Sequence, residues 1–326
     1  MFSTLQCKQT KINIIMKKIV LTLIAVALSA SFAFAQDLAQ ATETYNNGAN
    51  SLSAGDKNAA LEYFQKALTL ATACGEDGAE LVDNIKNVIP NLTLSIAKDF
   101  VKESKFDEAV AQIEKAVAVA KEFGADEIVA EAETLGPQVL MSKASSLFSA
   151  KDFANAAEAF KAVLASDPTN AAAALRLGQS LNSLGDKDGA IAALEQAAAN
   201  GQEANANKLL STVYLQKAQA SLKAKNFAQV IEAAEKANEY NESANAYKLA
   251  ASAASQLKDN AKAISFYEKY VELAPNAKDA SGVKFTIAAL YQQAGNKAKA
   301  LEFYQKVASD ATYGAQAKQQ IDALNK

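Results

Sequence analysis

A three-residue bend recurs seven times along this chain, and nothing else in the sequence constrains the fold as tightly. It reads Gly55-Asp56-Lys57, Ser104-Lys105-Phe106, Lys151-Asp152-Phe153, Gly185-Asp186-Lys187, Lys225-Asn226-Phe227, Lys258-Asp259-Asn260 and Gly295-Asn296-Lys297. Each copy separates two amphipathic stretches rich in alanine. Glycine in the first place can take the left-handed conformation that ends a helix. Asp or Asn in the second place can cap the helix that follows. Alanine supplies 72 of the 326 residues, against 4 Pro and 13 Gly, and it loses least on entering a helix. The chain is therefore expected to be all-α, in a helix-turn-helix rhythm.

Fixed offsets from the bend support the same reading. A small residue falls in the following helix at Ala60, Ala109, Ala156, Ala190, Val230, Ala263 and Ala300. Four residues on lie Phe64, Ile113, Phe160, Leu194, Ala234, Tyr267 and Tyr304, and three further Ala67, Ala116, Val163, Ala197, Ala237, Tyr270 and Val307. Steps of four and three keep all three columns on one helical face. Twelve residues before the small column stand Gly48, Ala97, Ala144, Gly178, Ala218, Ala251 and Ala288. Small residues in both helices let the two backbones approach, and the larger side chain fills the space beside the contact.

These columns resemble the tetratricopeptide repeat (TPR) family. The clearest unit is Asn170 to Gln202, with Leu177-Gly178, Leu181, Gly185, Ala190, Leu194 and Ala197, and Pro168 and Pro275 sit where the family ends its second helix. The likeness extends from about Ala41 to Asp310. Tyr214 and Tyr247 fit the aromatic expected early in the first helix, which the other units mostly lack. The resemblance implies a right-handed α-solenoid of about seven helix pairs. The small-column residues are spaced 49, 47, 34, 40, 33 and 37 apart, against a family unit of ~34. The first two spacings are thus enlarged. The inserts are helical in pattern, with Leu81, Ile85, Val88 and Ile89 on one apolar face and Ile128, Val129, Ala132 and Leu135 on another. Pro90 and Pro137 fall at matching places and read either as the first residue of a helix or as a kink in one longer helix. Residues 36–165 form an enlarged N-terminal region, 166–313 a regular array and 314–326 a capping helix, with Ile321 and Leu324 as its apolar residues.

Residues 1–35 read as a leader. Lys17-Lys18 precede an uncharged run from Ile19 to Ala30, and Ser31-Phe32-Ala33-Phe34-Ala35 gives a small-residue cleavage site before Gln36. That is the order of a secretory signal peptide. A spanning helix needs ~20 apolar residues, and this run is shorter. Cleavage after Ala35 is expected, with no stable membrane span left behind. The expected destination is the periplasm, with outer-membrane association or release as further possibilities. Translation from Met1 and from Met16 both fit this layout. No Cys follows Ala35 directly, so a lipoprotein is not indicated, and Cys74 reads as a small apolar filler near a helix end.

The chain contains no His. This excludes a Ser-His-Asp triad, a His-based zinc site and a Cys-His pair within the chain. Ser95-Ile96-Ala97-Lys98 and Ser255-Gln256-Leu257-Lys258 match Ser-x-x-Lys, but Ala97 and Lys258 already belong to repeat columns. Neighbouring acids such as Asp107-Glu108 and Asp126-Glu127 do not converge on a helix. No catalytic, cofactor-binding or metal-ligating residues are assigned, and no enzyme activity or cofactor is expected. From Gln36 onward the chain holds 29 basic and 36 acidic residues, and Arg176 is the sole arginine. A net acidic chain with one Arg does not suit nucleic-acid binding.

The resemblance implies a protein–protein interaction scaffold, and the leader makes the bacterial cell envelope its expected place. In the family the first helices line a concave groove and hold an extended peptide or partner helix. The corresponding residues here are Ser145, Arg176, Gln179, Asn182, Gln216, Gln219, Lys248 and Ser252. Arg176 takes a clamp-like place, but its Lys and Asn companions are missing from the preceding units, so a clamp for a chaperone's terminal carboxylate is not expected. Binding through amide hydrogen bonds and shape is. The alternative is a module for an envelope polymer, such as peptidoglycan or glycan, or for a small molecule.

Overall fold

The computed structural model describes residues 38–326. The leader, its cleavage site and both candidate starts lie outside the described residues. Among the described residues the regular structure is entirely helical, and no helix is long and apolar enough to cross a membrane.

Seven helix pairs follow one another. They are α1 (Leu38–Ser53) with α2 (Lys57–Ala73), α3 (Ala79–Lys102) with α4 (Phe106–Phe123), and α5 (Asp126–Ser149) with α6 (Phe153–Ser166). Then come α7 (Ala171–Leu184) with α8 (Lys187–Ala197), and α9 (Glu203–Lys223) with α10 (Phe227–Tyr240). The last pairs are α11 (Ala244–Gln256) with α12 (Asn260–Leu273), and α13 (Ala280–Gln293) with α14 (Lys297–Val307). A final helix, α15 (Gly314–Leu324), follows, with Ile321 and Leu324 packed on the preceding core. This is a helical solenoid of repeats closed by a terminal helix, as the columns imply.

The bends explain why each pair turns where it does. All seven have a left-handed residue in the first place. Gly55, Gly185 and Gly295 have φ of 86°, 87° and 75°, and Ser104, Lys151, Lys225 and Lys258 adopt 58° to 62°. The next residue's N–H then donates to a carbonyl five residues back, as from Asp186 to Leu181 and from Asn226 to Ser221, both closing the C-terminal motif. In six bends that residue also caps the second helix. The side chains of Asp56, Asp152, Asp186, Asn226, Asp259 and Asn296 each accept from the N–H three residues on. Lys105 holds the same place on α4 with no side-chain cap.

The small column is the contact seam. Ala60, Ala109, Ala156, Ala190, Val230, Ala263 and Ala300 are all fully inaccessible, and their partners on the first helices are buried as well. The bulky column is buried too, except that Tyr267 is half-buried. The first two spacings are enlarged because the first helices of the second and third pairs, α3 and α5, are longer. Pro90 and Pro137 lie inside α3 and α5, each one helix of 24 residues, so the single-long-helix reading of these prolines is the correct one. Ile85 and Ile89 of the α3 insert, and Ala132 of the α5 insert, are buried.

The described chain forms two compact units, one ending at Val139 and the other running from Leu140 to Lys326, with the boundary inside α5. In the first, Phe64, Ile85, Ile89, Leu92 and Ile96 form one core cluster, and Leu94, Ile113 and Val139 with four alanines form a second. In the second unit, Phe160, Leu177, Leu194, Leu210 and Val213 centre one cluster and Val230, Ile287, Phe303 and Tyr304 another. There each helix packs on its sequence neighbours. The first helices α7, α9 and α11 also touch along one edge. Of the residues singled out from the sequence, Arg176, Gln179 and Asn182 belong to α7, Gln216 and Gln219 to α9, Lys248 and Ser252 to α11, and Ser145 to α5.

Candidate functional site

Five of the eight residues expected to line a binding face make side-chain contacts in the second unit, in two separate groups. Arg176 projects from α7, exposed, and stacks its guanidinium on the Phe148 ring of α5, 4.9 Å from the centroid. Its Nη1 donates to Gln179 Oε1 at 3.1 Å. Phe148 is held edge-on by Phe153 and Phe160, which fixes the platform under the cation. A planar guanidinium stacked this way keeps most of its N–H fork directed outward.

One turn further along α7, Asn182 meets Lys187, the first residue of α8. The Lys187 ammonium donates to the Asn182 carbonyl at 3.1 Å and to Asn182 Oδ1 at 2.7 Å, and it also reaches Gln216 Oε1 on α9. One half-buried lysine thus ties the first helices of two consecutive repeats. Its acceptors are neutral oxygens, as is that of Arg176. They orient the two cations without cancelling their charge.

Lys248 belongs to a different arrangement. It pairs with Asp279 at the start of α13 and lies over the Tyr270 ring, 5.5 Å from the centroid, while the Tyr270 hydroxyl donates to the same carboxylate. Hydrogen bonds from Lys248 and then Tyr270 hold the Asp279 carboxyl below its ordinary range. Burial and then Asp279 push the Tyr270 phenol up to about 12. The charge of Lys248 is committed to joining α11, α12 and α13. Ser145 on α5 and Gln219 on α9 are exposed, and Ser252 on α11 is half-buried.

Lys187 and Phe148 were not singled out from the sequence. Lys187 is the third letter of its bend, and a lysine at the first helical position is commonplace. Its role follows only from acceptors on α7 and α9. The Ser-x-x-Lys pairs are not assembled as nucleophile and base: Lys98 is ion-paired with Glu131 at 2.7 Å, and the Ser255 hydroxyl donates to the Ala251 carbonyl. Cys74 ends α2, half-buried, its thiol 3.3 Å from the Leu70 carbonyl oxygen. Among the described residues no group of three or more acidic or thiol side chains could hold a metal ion.

Family comparison decides what this architecture is. A tetratricopeptide repeat model matches residues 147–213, and a second matches residues 244–277. The chain carries tetratricopeptide repeats in both segments. The first match spans α6, α7 and α8, with Arg176, Gln179, Asn182 and Lys187, and the second spans α11 and α12 with Lys248. No curated protein matches the sequence. Among solved structures, this tetratricopeptide-repeat chain is similar to MamA at 22% identity and a TM-score of 0.35, over 55% of this chain and 94% of that one. It is similar to YrrB, a TPR protein with an unusual peptide-binding site, at 20% identity and a TM-score of 0.33, over 56% and 91%. It is also similar to the TPR2AB domain of yeast Sti1 in complex with pHSP90, at 18% identity and a TM-score of 0.35, over 88% and 97%.

Proposed function

We propose that this tetratricopeptide-repeat protein is a non-catalytic scaffold that holds an extended segment of a partner protein against the first helices of its second unit. The observation that carries this reading is the run of polar groups along consecutive first helices: Arg176, Gln179 and Asn182 on α7 and Gln216 on α9, joined by Lys187. Amide side chains both donate and accept, which suits the alternating N–H and C=O groups of an extended backbone. Repetition at the spacing of the repeats gives the same chemistry several times along one edge, so a modest gain per contact accumulates over a long segment. The leader read from the sequence supports export, and we assign the protein to the cell envelope, most simply the periplasm, after cleavage following Ala35.

A crosslinking pull-down from the envelope fraction tests this. A defined protein partner is expected with the parent chain and reduced recovery with Arg176→Ala and Gln179→Ala together. Recovery of no protein in either case, or equal recovery in both, would contradict it.

A further inference from the structure

Resting on that reading, we propose that the bound segment is acidic, with two carboxylate side chains two or three residues apart that dock on Arg176 and Lys187. The first support is the choice of residue. The chain uses lysine for all but one of its 33 Lys and Arg positions, and the exception is Arg176. Lysine supplies charge as well as arginine does. Only arginine supplies a planar fork that meets a carboxylate with two parallel N–H donors while stacking on an aromatic ring. Both features are in place: the ring is Phe148, and Gln179 occupies a single donor nitrogen.

The second support is electrostatic. Several other cations among the described residues are ion-paired with acids, as in Lys57 with Asp99, Lys217 with Asp188 and Lys248 with Asp279. The described partners of Arg176 and Lys187 are all neutral. Lys187 shares its protons among amide and carbonyl oxygens, and replacing one of them by a carboxylate exchanges a neutral hydrogen bond for a charge-assisted one, roughly twice as strong.

The spacing selects side chains over a chain end. Arg176 and Asn182, where Lys187 is anchored, are six residues apart on α7, or about 9 Å along the helix axis. Across that axial span two carboxylates suit the two cations better than one, and a chain end adds only its single terminal carboxylate. An extended segment advances about 3.3 Å per residue, so acids two or three positions apart reach both.

The test is a random decapeptide display library, fused to carrier at both ends and panned against the full chain, with a second library ending in a free C-terminus. Enrichment of Asp and Glu pairs at the stated spacing is expected from the first library. An enriched peptide, acetylated and amidated, is then titrated by fluorescence anisotropy. Arg176→Gln and Lys187→Gln should each weaken it about tenfold, and raising the salt should weaken it further. Arg176→Lys should fall between, because it keeps the charge and loses the fork. Lys236→Gln, on α10, should leave binding unchanged. Binders without acid pairs, or acidic binders indifferent to both glutamine substitutions, would overturn this proposal and leave the scaffold reading standing. Binders from the free-end library alone would replace it with a single terminal carboxylate. No binders from either library would remove both readings.

Discussion

A Cβ built on Gly178 of α7 would lie 2.6 Å from Leu194 Cγ and 3.1 Å from the Ala190 carbonyl oxygen of α8. Five other repeats carry alanine at this seam, and they face differently shaped neighbours, such as Ile113 opposite Ala97 and Ala234 opposite Ala218. Gly178 lets the Leu194 side chain sit directly against the α7 backbone. Gly178→Ala should therefore destabilise the second unit by roughly 1–3 kcal/mol, although alanine is the better helix former. Urea unfolding measures it. In Leu194→Ala the same substitution should cost less, and an equal cost in both backgrounds would refute the steric account.

The left-handed bend residues give an opposite set of signs. Lys225 and Lys258 hold φ near 60°, where a Cβ crowds the backbone. Lys225→Gly should stabilise by about 0.5–1 kcal/mol after the unfolded-state entropy of glycine is subtracted. Gly185→Ala, at φ of 87°, should destabilise by about 1 kcal/mol. Calorimetric melting distinguishes them, and shifts of the same sign would contradict the bend geometry.

Lys105 is the one uncapped member of its series. Lys105→Asn should stabilise α4 by about 0.5–1 kcal/mol, through a new acceptor for the Glu108 N–H and removal of a cation from a helix N-terminus. The exposed Lys105–Glu103 pair it sacrifices contributes little. Asn is preferable to Asp, because Asp107 and Glu108 already occupy the first turn. A lower melting temperature for Lys105→Asn would count against this capping argument.

Stability should fall at both extremes of pH. Hydrogen bonds from Lys306 and Lys299 hold Glu302 down to about 2, against an ordinary 4.5. Lys57 and Lys102 lower Asp99, and Lys248 and Tyr270 lower Asp279. A depressed folded value means the contribution is whole above the unfolded value and is lost as the pH falls, here from about 4.5 towards 2 for Glu302. Burial, then hydrogen bonds to Glu195, Asp279 and Glu268, push Tyr240, Tyr270 and Tyr291 up to about 12 from 10. Raised folded values put that contribution at full strength below 10, with loss between 10 and about 12. Tyrosinate absorbance in the native chain should lag behind that in urea. Superimposable curves would rule this out.

The fold is legible in the sequence because its contacts are local and repeated. A left-handed residue, a capping residue and a small residue at a fixed offset recur often enough that Ala234, unremarkable alone, is placed in the core by its column, where it is fully buried. Pro90 and Pro137 leave two helix geometries open, because proline suits a helix start as well as an interior kink. Only the packing of residues on both sides decides for one long helix. The candidate face is half legible. Arg176, Gln179, Asn182 and Gln216 follow from register within first helices. Lys248 does not behave as a free groove cation, because Asp279 and Tyr270 come from elements that register alone does not bring to it. Lys187 escapes for the same reason, since its three acceptors lie on α7 and α9.

The edge of the repeats that meets the partner is directly measurable by photocrosslinking. A photoreactive amino acid placed in turn at Gln179 and Gln219 on first helices, and at Lys161 and Lys269 on second helices, reads this directly in the envelope fraction. Adducts to a protein partner from Gln179 and Gln219, and none from Lys161 and Lys269, are the predicted result. Adducts from the second-helix positions, with the first-helix positions silent, would contradict it.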